Sequence, residues 1–331
     1  MKALIYMGPN TLAYGDVAAP VAAAGEVLVR VEAVGICGSD MHAYHGHDAR
    51  RPSPFVLGHE AAGRIVTGPR RGECVTIDPL VICGACVFCL SGRSQLCAQR
   101  QIISMPPRPG AFAELVSIPE RNVVAVPTGL EVTKAALAEP VAVAWHAVRL
   151  GVAALGRPLA ASRSTVLGGG AIGVAAALVL SHFGAREVAL AESNALRRET
   201  AVRAGPLNPY APGAAGEPKD SSIDLIVDAV GAKATREAAS RLVRPGGVIV
   251  HVGLLPGAEG LDIRKFTLHE ITLIGSYAYT HLDFLEAIAA LGAGHLGPLT
   301  WLTQRPLAAG SQAFQDLDAG TVAAAKIVLR P

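Results

Sequence analysis

Between residues 26 and 34, Val27, Val29 and Val31 recur at every second position, the pattern of a strand with one buried face. Shorter segments of the same kind are predicted at 2–6, 65–66, 74–77, 111–118 and 123–126, with Gly and Pro between them. The first part of the chain therefore reads as a β-rich domain, a small barrel or sandwich. Residues 1–9 hold too short an apolar run for a signal peptide and read as an opening strand.

Near Lys134 the period changes. A helix is predicted over 135–150, and from Ser164 strands and helices alternate. Strands are expected at 165–167, 187–191, 225–228, 248–252 and 271–275, with helices at 172–183, 196–204 and 235–242. Such a series predicts a doubly wound parallel sheet, so the fold class is α/β. Residues 205–222, rich in Gly, Pro and Ala, read as a surface loop where a third strand might otherwise sit. A helix is expected at 283–291, and 323–329 returns to strand character, as if to rejoin the first domain.

Composition removes several classes. The 331 residues predict about two domains. Net charge is +2 without a basic aromatic patch, which disfavours a zinc-ribbon nucleic-acid binder. Residues 164–185 lack Asp, Glu, Lys and Arg and so pass the length test for a membrane span, but they include three consecutive glycines and His182. Strand, turn and helix in series give the same hydropathy. The protein is expected to be soluble and, with six cysteines and no secretory signal, to reside in reducing cytoplasm.

Four of those cysteines, Cys83, Cys86, Cys89 and Cys97, are separated by two, two and seven residues. Four thiolates make a closed structural zinc site. An iron–sulfur cluster would place its fourth cysteine after three residues, before Pro, whereas seven intervene here and Ala98 follows. Cys74 is left over in an apolar strand and reads as a buried thiol. Cys37, His59 and Glu60 offer thiolate, imidazole and carboxylate, the ligand types of a zinc with its fourth position open for chemistry.

Gly168-Gly169-Gly170-Ala171-Ile172-Gly173 follows a predicted strand and opens a helix, the Gly-x-Gly-x-x-Gly spacing that cradles a dinucleotide pyrophosphate at a helix N-terminus. Gly168, Gly170, Ala171, Ile172 and Gly173 are the candidate cofactor contacts. Glu192, 24 residues beyond Gly168, ends the next strand where a carboxylate would accept from the ribose 2′-OH. Ser193 and Asn194 follow, so NAD is expected over NADP. Arg197 and Arg198, on the next helix, count against that preference unless they are simply solvated.

Together, residues 35–42, 58–60, the cysteine run 83–97, 168–173, 224–231 and Pro245-Gly246-Gly247 resemble the zinc-dependent medium-chain dehydrogenase/reductase family over essentially the whole chain. The resemblance implies a GroES-like catalytic domain at 1–141 and 277–331, carrying two zincs, and an inserted Rossmann domain at 142–276. Glu139 stands where classical alcohol dehydrogenases carry a cysteine ligand, which resembles the sorbitol and polyol dehydrogenase branch. It implies that Cys37, His59 and Glu60 hold the catalytic metal while Glu139 ligates it or holds its water. Ser39 and His42 would relay the substrate proton, and NAD would take the hydride. The implied partner is a small alcohol or polyol, with threonine or a simple secondary alcohol as rivals, in a tetramer or dimer without nucleic acid or membrane. A zinc-bearing NAD(P)H-binding protein without turnover is the rival outside enzymes. His146 reads as a packing residue of its helix, and His45 and His47 as exposed loop residues, with lining of the substrate pocket as the alternative. Gly72-Glu73-Cys74 departs from the family's Gly-Asp-Arg turn.

Overall fold

Strand Glu26–Gly35 is the spine of the β-rich part. The computed structural model describes residues 1–331. This strand pairs antiparallel with Glu60–Ile65, with Leu115–Pro119 and with Lys326–Arg330. The sheet continues through Cys74–Ile77 and Val123–Ala125 on one side and Leu302–Pro306 on the other. The tail thus returns to the first sheet, as its strand character predicts. Lys2–Gly8, Thr11–Asp16 and Phe55–Val56 form a smaller sheet beside it. Inward-facing Val27, Val29 and Val31 join a separate core with Leu4, Ile65, Ile77, Phe112 and Phe314. Removing that apolar surface from water, worth about 25 cal/mol per Å², packs the two sheets against each other.

Six parallel strands build the second part, in the order Asn208–Tyr210, Val188–Ala191, Ser164–Leu167, Ile223–Asp228, Val243–His251 and Thr272–Gly275. The order reverses between Ser164–Leu167 and Ile223–Asp228, the crevice where doubly wound sheets bind ligands. Helices Ala171–His182, Ala195–Ala204 and Lys233–Leu242 connect the strands. Helix Ala138–Ala154 buries Val141, Ala144, Trp145 and Val148 against them, and its Pro140 lies in the first turn, where a missing N–H costs nothing.

Several expectations need correction. Residues 205–222 are not all loop, because Asn208–Tyr210 is the third strand. It is an edge strand, and an edge tolerates Pro209 in a way an interior strand does not. The strand predicted at 111–118 is Leu115–Pro119, since Gly110, Ala111 and Phe112 instead donate irregularly to Val56, Gly58 and Leu57 carbonyls. The helix expected from 135 begins at Ala138, after a separate turn at Val132–Ala135. Cys74 is half-buried rather than buried. No helix is long and apolar enough to cross a membrane.

Candidate metal and cofactor site

Cys37 stands two residues beyond the spine strand and at the N-cap of helix Gly38–Tyr44. Register pairs Gly35 with Glu60, so His59 and Glu60 arrive beside Cys37 from the neighbouring strand. Gly35 is required by that approach, because a Cβ there would lie 2.0 Å from Glu60 Oε2. The ligand atoms of Cys37, His59 and Glu60 all fall within 4.8 Å of one another. The three predicted residues are therefore brought together.

The surroundings fit a cation. Burial alone would lower the His59 imidazole, but the charges of Asp40 and Cys37 prevail and raise it well above its ordinary value. A site that draws a proton onto a buried imidazole has negative charge to spare, which a dication would satisfy. Asp40 is fully buried. Its Oδ2 accepts from the Cys37 N–H at 3.0 Å, its Oδ1 accepts from the Gly58 N–H at 3.3 Å and lies 3.6 Å from His59 Nδ1. It ties Cys37 to Gly58 and sets a negative charge beside the His59 ring, the place from which a carboxylate orients a ligating histidine.

Lys326, from the last strand, reaches the same place from the other side of the spine. Its Nζ donates to Glu60 Oε1 at 2.6 Å, to Glu60 Oε2 at 2.7 Å and to Ile36 O at 2.8 Å. Sequence reasoning assigned no role to Asp40 or Lys326. Asp40 sits inside the 35–42 motif, and Lys326 is the one buried charge in its strand.

Glu139, in the first turn of helix Ala138–Ala154, is buried beside this group. Burial pushes its carboxyl up to about 7, with Glu60 adding to the rise and His59, Lys326 and the nearby Tyr279 opposing it. Tyr279 is another residue missed in the sequence; burial, then the charge of Glu139, hold its phenol well above the usual range. Ser39 and His42 lie three apart on helix Gly38–Tyr44 and so share a face. Arg51 Nη1 donates to Ser39 O at 2.7 Å and Nη2 to Ser39 Oγ at 3.4 Å. Burial, with His47 and His45 nearby, lowers the His42 imidazole. His45 itself faces Asp318 at 2.8 Å.

The four cysteines meet around one point. Cys83 and Cys89 sulfurs are 3.8 Å apart, Cys86 and Cys89 3.5 Å, and Cys97 and Cys83 3.5 Å. All four sulfurs lie within 4.8 Å of one another, and these three separations are close to the edge of a tetrahedron of thiolates about 2.3 Å from a zinc and far too long for disulfides. Backbone N–H groups of Ala85 and Cys86 pull the Cys83 thiol down to about 6.

At the head of the parallel sheet the glycine loop leaves strand Ser164–Leu167 and enters helix Ala171–His182, which no side chain caps. A Cβ on Gly173 would lie 1.7 Å from Gly168 O, whereas one on Gly170 would meet nothing within 4 Å. The first is close packing; the second is open space in front of unpartnered helix N–H groups, as a pyrophosphate requires. Glu192 Oε2 accepts from Gly169 N at 2.8 Å and Oε1 from Asn194 N at 2.7 Å. Arg198 is not simply solvated, since Nη1 donates to the Glu192 and Ser193 carbonyls at 2.8 and 2.7 Å.

His146 does more than pack. Its Nδ1 lies 2.8 Å from Asp283 Oδ2 and its Nε2 3.3 Å from Gln95 Nε2, and it belongs to neither ligand cluster.

Residues 23–128 match the alcohol dehydrogenase GroES-like domain family and residues 171–293 match the zinc-binding dehydrogenase family. L-galactonate-5-dehydrogenase of Escherichia coli (strain K12) is 31% identical over 95% of this chain and 94% of its own. Sorbitol dehydrogenase of Bacillus subtilis (strain 168) is 33% identical over 81% and 79%. Among solved structures, a short-chain alcohol dehydrogenase from E. coli CFT073 complexed with NADH superposes with a TM-score of 0.88 at 26% identity. It covers 100% of this chain and 99% of that one.

Proposed function

The chain belongs to the zinc-dependent medium-chain alcohol dehydrogenase family, and from that premise we propose that it oxidises a secondary hydroxyl of a polyol or sugar-derived alcohol, passing hydride to NAD. The observation that carries the reading is the convergence of Cys37, His59 and Glu60 within 4.8 Å, beside a buried Glu139. The relatives named for galactonate and sorbitol support a polyhydroxylated substrate.

Cys37, His59 and either Glu60 or Glu139 would hold a catalytic zinc; Cys83, Cys86, Cys89 and Cys97 would hold a structural one. Gly168, Gly170, Ala171, Ile172, Gly173 and Glu192 would hold NAD. When bound, zinc supplies Lewis acidity toward the substrate hydroxyl and NAD supplies the hydride acceptor.

The chain's own residues do the rest. Asp40 fixes the His59 ring, and Lys326 neutralises Glu60 so that the carboxylate stays buried and oriented. Glu139, near neutrality, holds a proton or a water as the site requires. Ser39 Oγ takes the substrate hydroxyl proton and His42 passes it outward; Arg51 keeps Ser39 in place. Glu192 accepts from the adenosine ribose and repels a 2′-phosphate.

The same reading divides the chain at 1–141 with 277–331 and at 142–276, places the protein in the cytoplasm, where six free thiols stay reduced, and gives no role to nucleic acid or membrane. It also expects a dimer or tetramer: edge strand Thr272–Gly275 is unpaired on one side, with exposed Leu268 and Leu273 alongside.

The test is NAD reduction across polyols, sugar acids, simple secondary alcohols and threonine. Turnover concentrated on polyhydroxylated substrates supports the reading. Turnover confined to threonine or simple alcohols, or none, overturns it.

A further inference from the structure

Arg100 has no acid partner. It lies three residues past Cys97, donates through Nη1 to Cys97 O at 2.9 Å and through Nε to Tyr277 Oη at 3.3 Å. Its guanidinium stands 4.9 Å from the Tyr277 ring centroid. Nη2 is left without a protein partner.

Tyr277 belongs to the segment that carries the chain out of the parallel sheet and into helix His281–Gly292. Ala278 follows it with φ 48°, a left-handed backbone that a non-glycine residue adopts at a cost of order 1 kcal/mol. That turn sets apart two tyrosines with different tasks. Tyr279 lies buried close enough to Glu139 for each to perturb the other, and Tyr277 holds Arg100. The ring that holds the guanidinium is therefore two residues along the chain from a tyrosine buried beside Glu139.

Further basic groups adjoin it. Tyr277 lies close enough to Arg50 to feel its charge. Arg50 pairs with both oxygens of Asp48, at 2.8 and 2.9 Å, and the buried Arg51 shares that carboxylate at 3.2 Å while holding Ser39. Three arginines against one aspartate leave a surplus of two positive charges; Arg51 is buried behind Ser39, and Arg50 and Arg100 form the accessible rim beside Tyr277.

We propose that this rim binds a carboxylate of the substrate, so that the enzyme acts on a sugar acid and Arg100 determines that specificity; the inference rests on the polyhydroxy-alcohol dehydrogenase reading above. A guanidinium offers a planar fork matched to a carboxylate, and one stacked on a ring and tied to a carbonyl is already oriented. Little side-chain entropy is then lost on binding. A group serving only as a strut between Cys97 and Tyr277 would not need a free Nη2 or a surplus of charge beside it.

The experiment compares hexonates, the corresponding hexitols and hexitol phosphates as substrates of zinc-loaded wild type, Arg100→Gln and Arg100→Lys at saturating NAD. The wild type should prefer hexonates to hexitols by roughly tenfold or more in kcat/KM, and Arg100→Gln should collapse that ratio by roughly ten- to hundredfold, through KM rather than kcat. Arg100→Lys should recover part of it, and added salt should raise KM for hexonates alone. Hexonate should also raise the Tm of the NAD-bound wild type but not of Arg100→Gln, a readout independent of turnover. Equal losses on hexonate and hexitol would make Arg100 a strut and overturn the inference. So would a preference for hexitols or for hexitol phosphates, with the dehydrogenase reading left standing. No turnover on any of the three would overturn that reading, and the inference with it.

Discussion

Lys326 Nζ lies 2.6 and 2.7 Å from the two carboxylate oxygens of Glu60, although 266 residues separate them. The side chains are 2% and 0% exposed. The last strand of the chain is thereby wired into the candidate metal cluster through a carboxylate whose charge Lys326 offsets.

Lys326→Met is expected to strand the Glu60 charge and to cost about 3–5 kcal/mol, as removal of one partner of a buried pair does. Glu60→Gln with Lys326→Met should cost less than the sum of the single changes. Denaturant midpoints of the four proteins measure this. Additive losses would show that the pair is not coupled.

Glu192→Ala removes the carboxylate at the end of strand Val188–Ala191. If it accepts from the ribose, KM for NAD should rise about tenfold or more, as loss of a charge-assisted hydrogen bond implies, and the preference for NAD over NADP should shrink as the repulsion of a 2′-phosphate disappears. Initial-rate kinetics with the two cofactors give the answer. An unchanged NAD to NADP ratio contradicts the assignment.

Asp283 makes stability depend on pH. Burial would raise its carboxyl, but hydrogen bonds from His146 and from Thr280 outweigh burial and hold it below the usual carboxylate range. A folded value depressed in this way contributes stability above the unfolded value of about 3.9, and the contribution is lost as pH falls through the folded value. Asp283→Asn should therefore be less stable by about 2–4 kcal/mol at neutral pH, with the gap to wild type closing below about pH 4. Urea midpoints measured from pH 7 downward test it; a gap that widens on acidification has the wrong sign.

What the sequence made legible was local. The Gly168–Gly173 loop and the cysteines at 83–97 are read from spacing because one turn, or one short excursion, brings the residues together. Cys37 with His59 and Glu60 needed only one strand register. Contacts closed by the fold were not legible. Lys326 reaches Glu60 because the terminal strand inserts beside Glu26–Gly35, and Tyr279 reaches Glu139 from the exit of the parallel sheet; neither contact leaves a spacing signature. Strand Asn208–Tyr210 was hidden because an edge position accepts the proline that normally marks a loop. Asp40 was in view but silent, since a carboxylate that orients a histidine looks in sequence like any N3 residue of a helix.

The central claim is a catalytic metal at Cys37, His59 and Glu60 distinct from a structural one at the four cysteines. The most direct measurement is zinc content by elemental analysis of the native protein and of Cys37→Ala, together with NAD reduction on a sugar-acid and polyol panel. Two zincs per chain, falling to one with turnover lost in the variant, is the predicted result, counted as about one metal for each ligand set. The same metal content in both proteins, with turnover retained by Cys37→Ala, would contradict it.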